Sequence, residues 1–142
     1  MSEELIVRNL SAGYDGKRVI NDISFSAKKG EMTVIVGPNG SGKSTLLKSI
    51  GGIIKPFKGE ISLCGEDLLA MKERERAKKV SYLSQNRGMA EIRVENLVLH
   101  GRFPYTGYPR RYKAEDYEKV WKALKKMGIY EKRDEMVSSL SG

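Results

Sequence analysis

An α/β fold is predicted by three observations in this sequence. The stretch Gly37-Pro38-Asn39-Gly40-Ser41-Gly42-Lys43-Ser44-Thr45 fits the pattern G-x-x-x-x-G-K-[ST] at every fixed position. Ahead of it, Met32-Thr33-Val34-Ile35-Val36 is a short apolar run that reads as a buried parallel strand. Behind it, Leu46, Leu47, Ile50, Ile53 and Ile54 recur at helical spacing. A strand, a Gly-rich loop and a helix in that order make a unit able to wrap a polyphosphate.

The other elements follow in chain order. Residues 5–10, Leu-Ile-Val-Arg-Asn-Leu, read as a strand. Val19, Ile23 and Phe25 belong to a second run with period-two character, and Asp15-Gly16 between the two runs is a hairpin signal. Lys28-Lys29-Gly30 turns the chain into the loop-bearing strand. Residues 59–64, bounded by Gly59 and Gly65, read as a strand with Cys64 buried in it. Residues 67–79 look helical, and 80–84 read as a further strand. From residue 92 the chain turns helical, with Ile92, Val94, Leu97, Val98 and Phe103 on a short amphipathic segment. Residues 103–109 hold two prolines and form a loop. A clearer helix is predicted over 114–127, with Tyr117, Val120, Trp121, Leu124 and Met127 as its core-facing stripe. Glu115 and Asp116 in its first turn and Lys125 and Lys126 in its last suit the helix dipole, and Gly128 is its stop. The expected organisation is a core with a β subdomain over 1–91 and a helical subdomain over 92–142.

Composition narrows the classes of function. With 39% hydrophobic and 31% charged residues the chain is globular, and no stretch approaches the ~18 apolar residues of a membrane span. The start, Met1-Ser2-Glu3-Glu4, is acidic where a secretory signal would be basic. A single cysteine excludes an intrachain disulfide and suits a reducing cytoplasm; one Cys and one His make a zinc site an unpromising reading. Net charge is +8, and residues 100–133, with ten Lys/Arg against four Asp/Glu, carry +6 of it. The plain reading is a solvated helical face; the functional one is a surface for acidic lipid headgroups or an acidic partner. No nucleic-acid module accompanies the charge, so no nucleic-acid partner is expected.

The loop residues explain why the motif takes this form. Gly37, Gly40 and Gly42 let the backbone wrap closely, so that N–H groups point inward at a polyphosphate. The helix behind adds the positive end of its dipole. Lys43 supplies an ammonium for the outer phosphates, Ser44 a hydroxyl for a magnesium ion and Thr45 a hydroxyl for the α-phosphate. Pro38, Asn39 and Ser41 complete the binding loop.

Further residues give a family resemblance. Tyr14, 23 positions before Gly37, stands where ABC-type ATPases carry an aromatic residue that stacks on adenine. Gln85, after Tyr82-Leu83-Ser84, stands at the place of that family's Q-loop, and the closing Ser138-Ser139-Leu140-Ser141-Gly142 resembles the start of its Leu-Ser-Gly-Gly-Gln signature. Val94-Glu95-Asn96-Leu97-Val98 followed by Gly101-Arg102-Phe103-Pro104-Tyr105 resembles the helical subdomain of importers for iron–siderophore, haem or cobalamin. The resemblance implies a P-loop NTPase of ABC type: an antiparallel β subdomain, part of a RecA-like α/β core and a helical subdomain, with the C-terminal core strands missing. It implies ATP and Mg2+ as cofactors, with Ser44 and Gln85 on the metal and Lys43 and Gln85 contributing to catalysis. Ser141 and Gly142 would meet the phosphates of a second copy in a head-to-tail dimer. The implied partners are transmembrane permease subunits, and the implied place is the cytoplasmic face of the cell membrane.

The departures from the family matter equally. The acidic strand ending in Asp-Glu and the later switch His are not in this sequence. Asp134-Glu135 follows no apolar strand and reads as a solvated helical pair, and His100 precedes the signature and reads as an ordinary helix residue. The resemblance therefore implies the N-terminal part of an ABC ATPase, cut inside its signature and inactive by itself. The alternatives are a non-hydrolytic nucleotide-binding module and an ABC ATPase with no role in transport.

Overall fold

The computed structural model describes residues 4–84 and 91–140. The chain divides into two compact units, one running to Tyr82 and one from Leu83 onward.

The first unit is built on a four-stranded antiparallel sheet in the order β2-β1-β3-β4. Its strands are β1 (Glu4–Tyr14), β2 (Lys17–Lys28), β3 (Lys58–Leu63) and β4 (Glu66–Asp67). The Asp15-Gly16 turn joins β1 to β2, and its backbone φ values of 50° and 75° are the left-handed pair that a tight hairpin needs. β1 is not regular. Its pairing with β2 shifts register between Val7 and Leu10, where Asn9 takes φ 46°. The Asn9 N–H donates to Ser24 Oγ at 2.8 Å and its side-chain amide to Asp22 Oδ1 at 3.1 Å, which keeps the bulge's polar groups satisfied. Helix α1 (Lys43–Ile50) lays Leu46 on this sheet, and with Val7, Leu10, Ala12, Ile20, Ile61 and Leu68 it forms the buried core. Helix α2 (Glu73–Lys79) buries no residue, and Arg76 ties it down by donating to the carbonyls of Leu68 and Gly52 at 3.3 and 3.2 Å.

The second unit holds α3 (Val94–His100) and α4 (Ala114–Lys126). Its core is Val94, Leu99, Val120 and Leu124, flanked by Tyr112, Tyr117, Ile129 and Val137. The returning chain is laced onto the start of α3: the N–H groups of Val94 and Glu95 donate to the carbonyls of Glu135 and Arg133, and that of Val137 to Ile92.

Several sequence expectations are corrected here. Residues 32–36 make no strand ladder, and Met32, Val34 and Val36 are 90%, 70% and 87% exposed. Residues 80–84 likewise join no strand ladder among the described residues, and Leu83 is exposed. A strand needs a partner along its length, and among the described residues neither run joins the one sheet, β2-β1-β3-β4. Cys64 is exposed, because β3 ends at Leu63 and Cys64 turns the chain with φ 52°. The helix expected over 67–79 is confined to α2, since Asp67 accepts the N–H groups of Leu69 and Ala70 in a turn instead. Trp121 and Met127 lie at the edge of the α4 stripe and are exposed, Trp121 donating its ring N–H to Glu95. Asp134 and Glu135 are solvated, but in a turn rather than a helix.

Candidate phosphate-binding site

The loop of residues 37–45 leads directly into α1. Gly42 is the residue before the helix, with φ 90°. An added Cβ there would lie 2.4 Å from Ile20 Cγ2, so the position demands both a left-handed backbone and no side chain. Gly37 is confined by close approach: its added Cβ would lie 2.9 Å from Ser41 Oγ. The loop is thus pressed onto β2 on one side and folded on itself on the other.

Its electrostatics suit an anion. No side chain caps α1, and its first turn holds no acidic residue. The N–H groups of that turn therefore face no competing carboxylate or hydroxyl cap, and the dipole adds positive potential. Lys43 Nζ donates to the carbonyl oxygens of Gly37 and Pro38, both at 2.7 Å, and lies 3.5 Å from Ser41 Oγ. The ammonium is held over the loop's mouth by weak neutral acceptors, which a phosphate oxygen would displace favourably because a charged acceptor bonds more strongly. Ser44 is exposed, whereas Thr45 is 5% exposed and packs inward, its carbonyl accepting from Ser49 Oγ at 2.8 Å. A loop that only glycine can form, uncapped N–H groups and an ammonium on exchangeable acceptors fit a polyphosphate. The hydroxyl of Ser44 fits a hard cation bound to it.

Tyr14 closes β1 opposite Lys17, beside the hairpin turn, and is 42% exposed. Its ring is accessible, as stacking requires. Gln85, Ser141 and Gly142 lie outside the described residues. A cavity of about 560 Å³ opens beside the loop, yet Ile20, Ile23, Phe25, Val34 and Val36 line much of it. It is apolar ground next to the unpaired segment, unsuited to phosphate. Among the described residues, no group of three His, Cys, Asp or Glu side chains gathers to hold a metal.

In the second unit, His100 ends α3 and stacks on Phe103 with ring centroids 4.8 Å apart. Sequence reasoning missed two arrangements. One is Lys48, whose ammonium stands by Tyr14. The other is the Arg102–Asp116 pair. Arg102 Nε donates to Asp116 Oδ1 at 2.8 Å, the Lys113 N–H donates to Asp116 Oδ2 at 3.0 Å, and the Arg102 guanidinium covers the Tyr105 ring at 3.9 Å. The Lys113 N–H and the Arg102 guanidinium together hold the Asp116 carboxyl below its ordinary range. Glu115 and Asp116 in the first turn of α4 suit the helix dipole; nothing local names the cap or the arginine.

The family model described as ABC transporter matches residues 20–142. The chain is 39% identical over 137 residues to a petrobactin import ATP-binding protein of Bacillus subtilis, covering 96% of this chain and 54% of that one. It is 36% identical over 134 residues to the ferric enterobactin transport ATP-binding protein of Escherichia coli, covering 94% and 49%. It is also 39% identical over 142 residues to a methionine import ATP-binding protein of Chlamydia felis, covering 96% and 41%. The chain spans about half the length of the curated relatives it matches. Among solved structures, the ADP conformation of an ATP-binding cassette of an ABC transporter superposes with a TM-score of 0.78 at 27% identity, over 100% of this chain and 60% of that one.

Proposed function

The chain belongs to the ABC transporter family, and on that premise we propose that it is the Mg·ATP-binding portion of an importer's energy-coupling subunit. The observation that carries this reading is the loop of residues 37–45 at the start of α1, with Lys43 poised over its mouth. The backbone N–H groups and Lys43 hold the outer phosphates; Ser44 and Gln85 ligate the magnesium ion; Tyr14 takes the adenine on its ring face. Bound magnesium withdraws charge from the phosphoryl oxygens. Ser141 and Gly142 would face the nucleotide of a second copy, so that ATP closes two such subunits and its loss reopens them against membrane partners.

Iron–siderophore, haem or cobalamin is the proposed solute class. Its support is the Gly101-Arg102-Phe103-Pro104-Tyr105 segment together with relatives named for petrobactin and ferric enterobactin. The methionine relative is the competing assignment. The 142-residue chain by itself is proposed to bind ATP without turning it over, since its sequence holds neither the acidic strand nor the switch His. Loss of a catalytic carboxylate costs roughly 10²-fold or more in rate.

Titration calorimetry tests the binding. Lys43→Ala should weaken Mg·ATP affinity by ~2 kcal/mol or more, because it removes a charge-assisted bond to phosphate. Equal affinities in wild type and variant would overturn the reading. A phosphate-release assay on the same material tests the second statement: turnover that disappears in Lys43→Ala would show that another group activates the water.

A further inference from the structure

Lys48 follows Lys43 by five positions on α1, about 7.5 Å along the axis at a rise of ~1.5 Å per residue. The two ammonium groups serve different places. Lys43 bends back over the loop, while Lys48 reaches the tip of the β1–β2 hairpin. There its Nζ lies 3.5 Å from the Tyr14 hydroxyl and 5.7 Å from the centre of the Tyr14 ring. Tyr14 is fixed from the other direction by its pairing with Lys17 and by the tight Asp15-Gly16 turn. The ring therefore hangs between the hairpin and α1, with the ammonium off its hydroxyl edge.

We propose that Lys48 is a positioning residue for the base end of the nucleotide site: it holds the hydroxyl of Tyr14, so that the ring is presented with a face to a purine. The inference rests on the nucleotide reading above. One physical consequence follows from the geometry. The helix that carries the phosphate loop also carries the group that sets the ring, so α1 fixes the distance between base and phosphates. That effect does not concern the phosphates, and this separates Lys48 from Lys43.

The test uses two ligands on the 142-residue chain: Mg·ATP, and magnesium tripolyphosphate, which has no base. Lys48→Met keeps the apolar stem and helix propensity while removing the charge. It should weaken ATP binding about three- to tenfold, the range of one lost hydrogen bond, and leave tripolyphosphate within about twofold. Lys48→Arg should restore ATP binding. In a Tyr14→Ala background, Lys48→Met should cost nothing further, because the ring it acts through is gone. The inference is overturned if Lys48→Met leaves ATP binding intact while Lys43→Ala weakens it. It is equally overturned if both ligands lose affinity alike, which would make Lys48 a second phosphate contact. A wild-type chain that binds neither ligand would instead sink the nucleotide reading, and this inference with it.

Discussion

Gly42 shows how much a single residue decides. Gly16 and Gly42 of the first unit both have positive φ, 75° and 90°, and for an L side chain that conformation costs ~1–2 kcal/mol. Their surroundings differ. A Cβ on Gly16 would meet nothing within 4 Å, whereas one on Gly42 would be driven against Ile20. Gly16→Ala is therefore expected to lose ~1 kcal/mol in urea unfolding, and Gly42→Ala clearly more, with the loop moving away from β2. Two variants of equal stability would mean that the loop does not rest on Ile20. The site itself was legible at this scale only in part. The motif gives Lys43, Ser44 and the glycines directly, because consecutive residues build a phosphate loop. It says nothing of Lys48 and Tyr14, which stand 34 positions apart and meet only once the hairpin has been laid beside α1.

Among the elements, α4 is the best tied to sequence. Asp116 closes the first turn of α4 and binds Arg102 from the preceding segment, so one carboxylate serves a helix and a loop. The Lys113 N–H and then Arg102 depress its pKa in the folded state. A depressed carboxylate stabilises above the unfolded value, near ~3.9, and that stability is lost as pH falls through the lower folded value. Thermal melts of Asp116→Asn should accordingly lie below wild type at neutral pH and converge with it as the pH falls below the folded-state value. A gap that persists unchanged in acid would assign the effect to shape rather than charge. The contrast with the misread strands is physical. The 3.6-residue period and end charges of α4 are local, so the sequence displays them. The segments at 32–36 and 80–84 are rich in strand formers, yet a strand is a relation to a neighbour, which no local pattern contains. Cys64 was misplaced by a single residue at the end of β3, where alternation cannot say which position turns.

At the level of the whole molecule, charge is concentrated. Residues 100–133 carry +6 of the net +8, in the unit that also exposes Phe103, Tyr105 and Tyr108. Arg110 leans over the Phe103 ring at 5.7 Å, which joins the basic and aromatic surfaces. Arg110→Glu with Arg111→Glu is expected to weaken association with a permease subunit several-fold, more at low salt than at high, with ATP affinity unchanged. If co-purification is indifferent to both the substitutions and the salt, the basic stretch is a solvated face, and the proposed docking would have to rest on Phe103 and Tyr105. The first unit presents a different surface: the uncharged run 32–36, with backbone groups that no ladder uses. Its first residue gives that run a chemical reporter. The thioether of Met32 stands 90% exposed, while Met71 is packed partly against the core. Peroxide oxidises accessible thioethers first, so Met32 should gain oxygen well before Met71. Any polypeptide that packs along residues 32–36 would shield it. The rate at which one sulfur takes up oxygen, read by mass spectrometry, thus becomes a clock for whether this segment is covered.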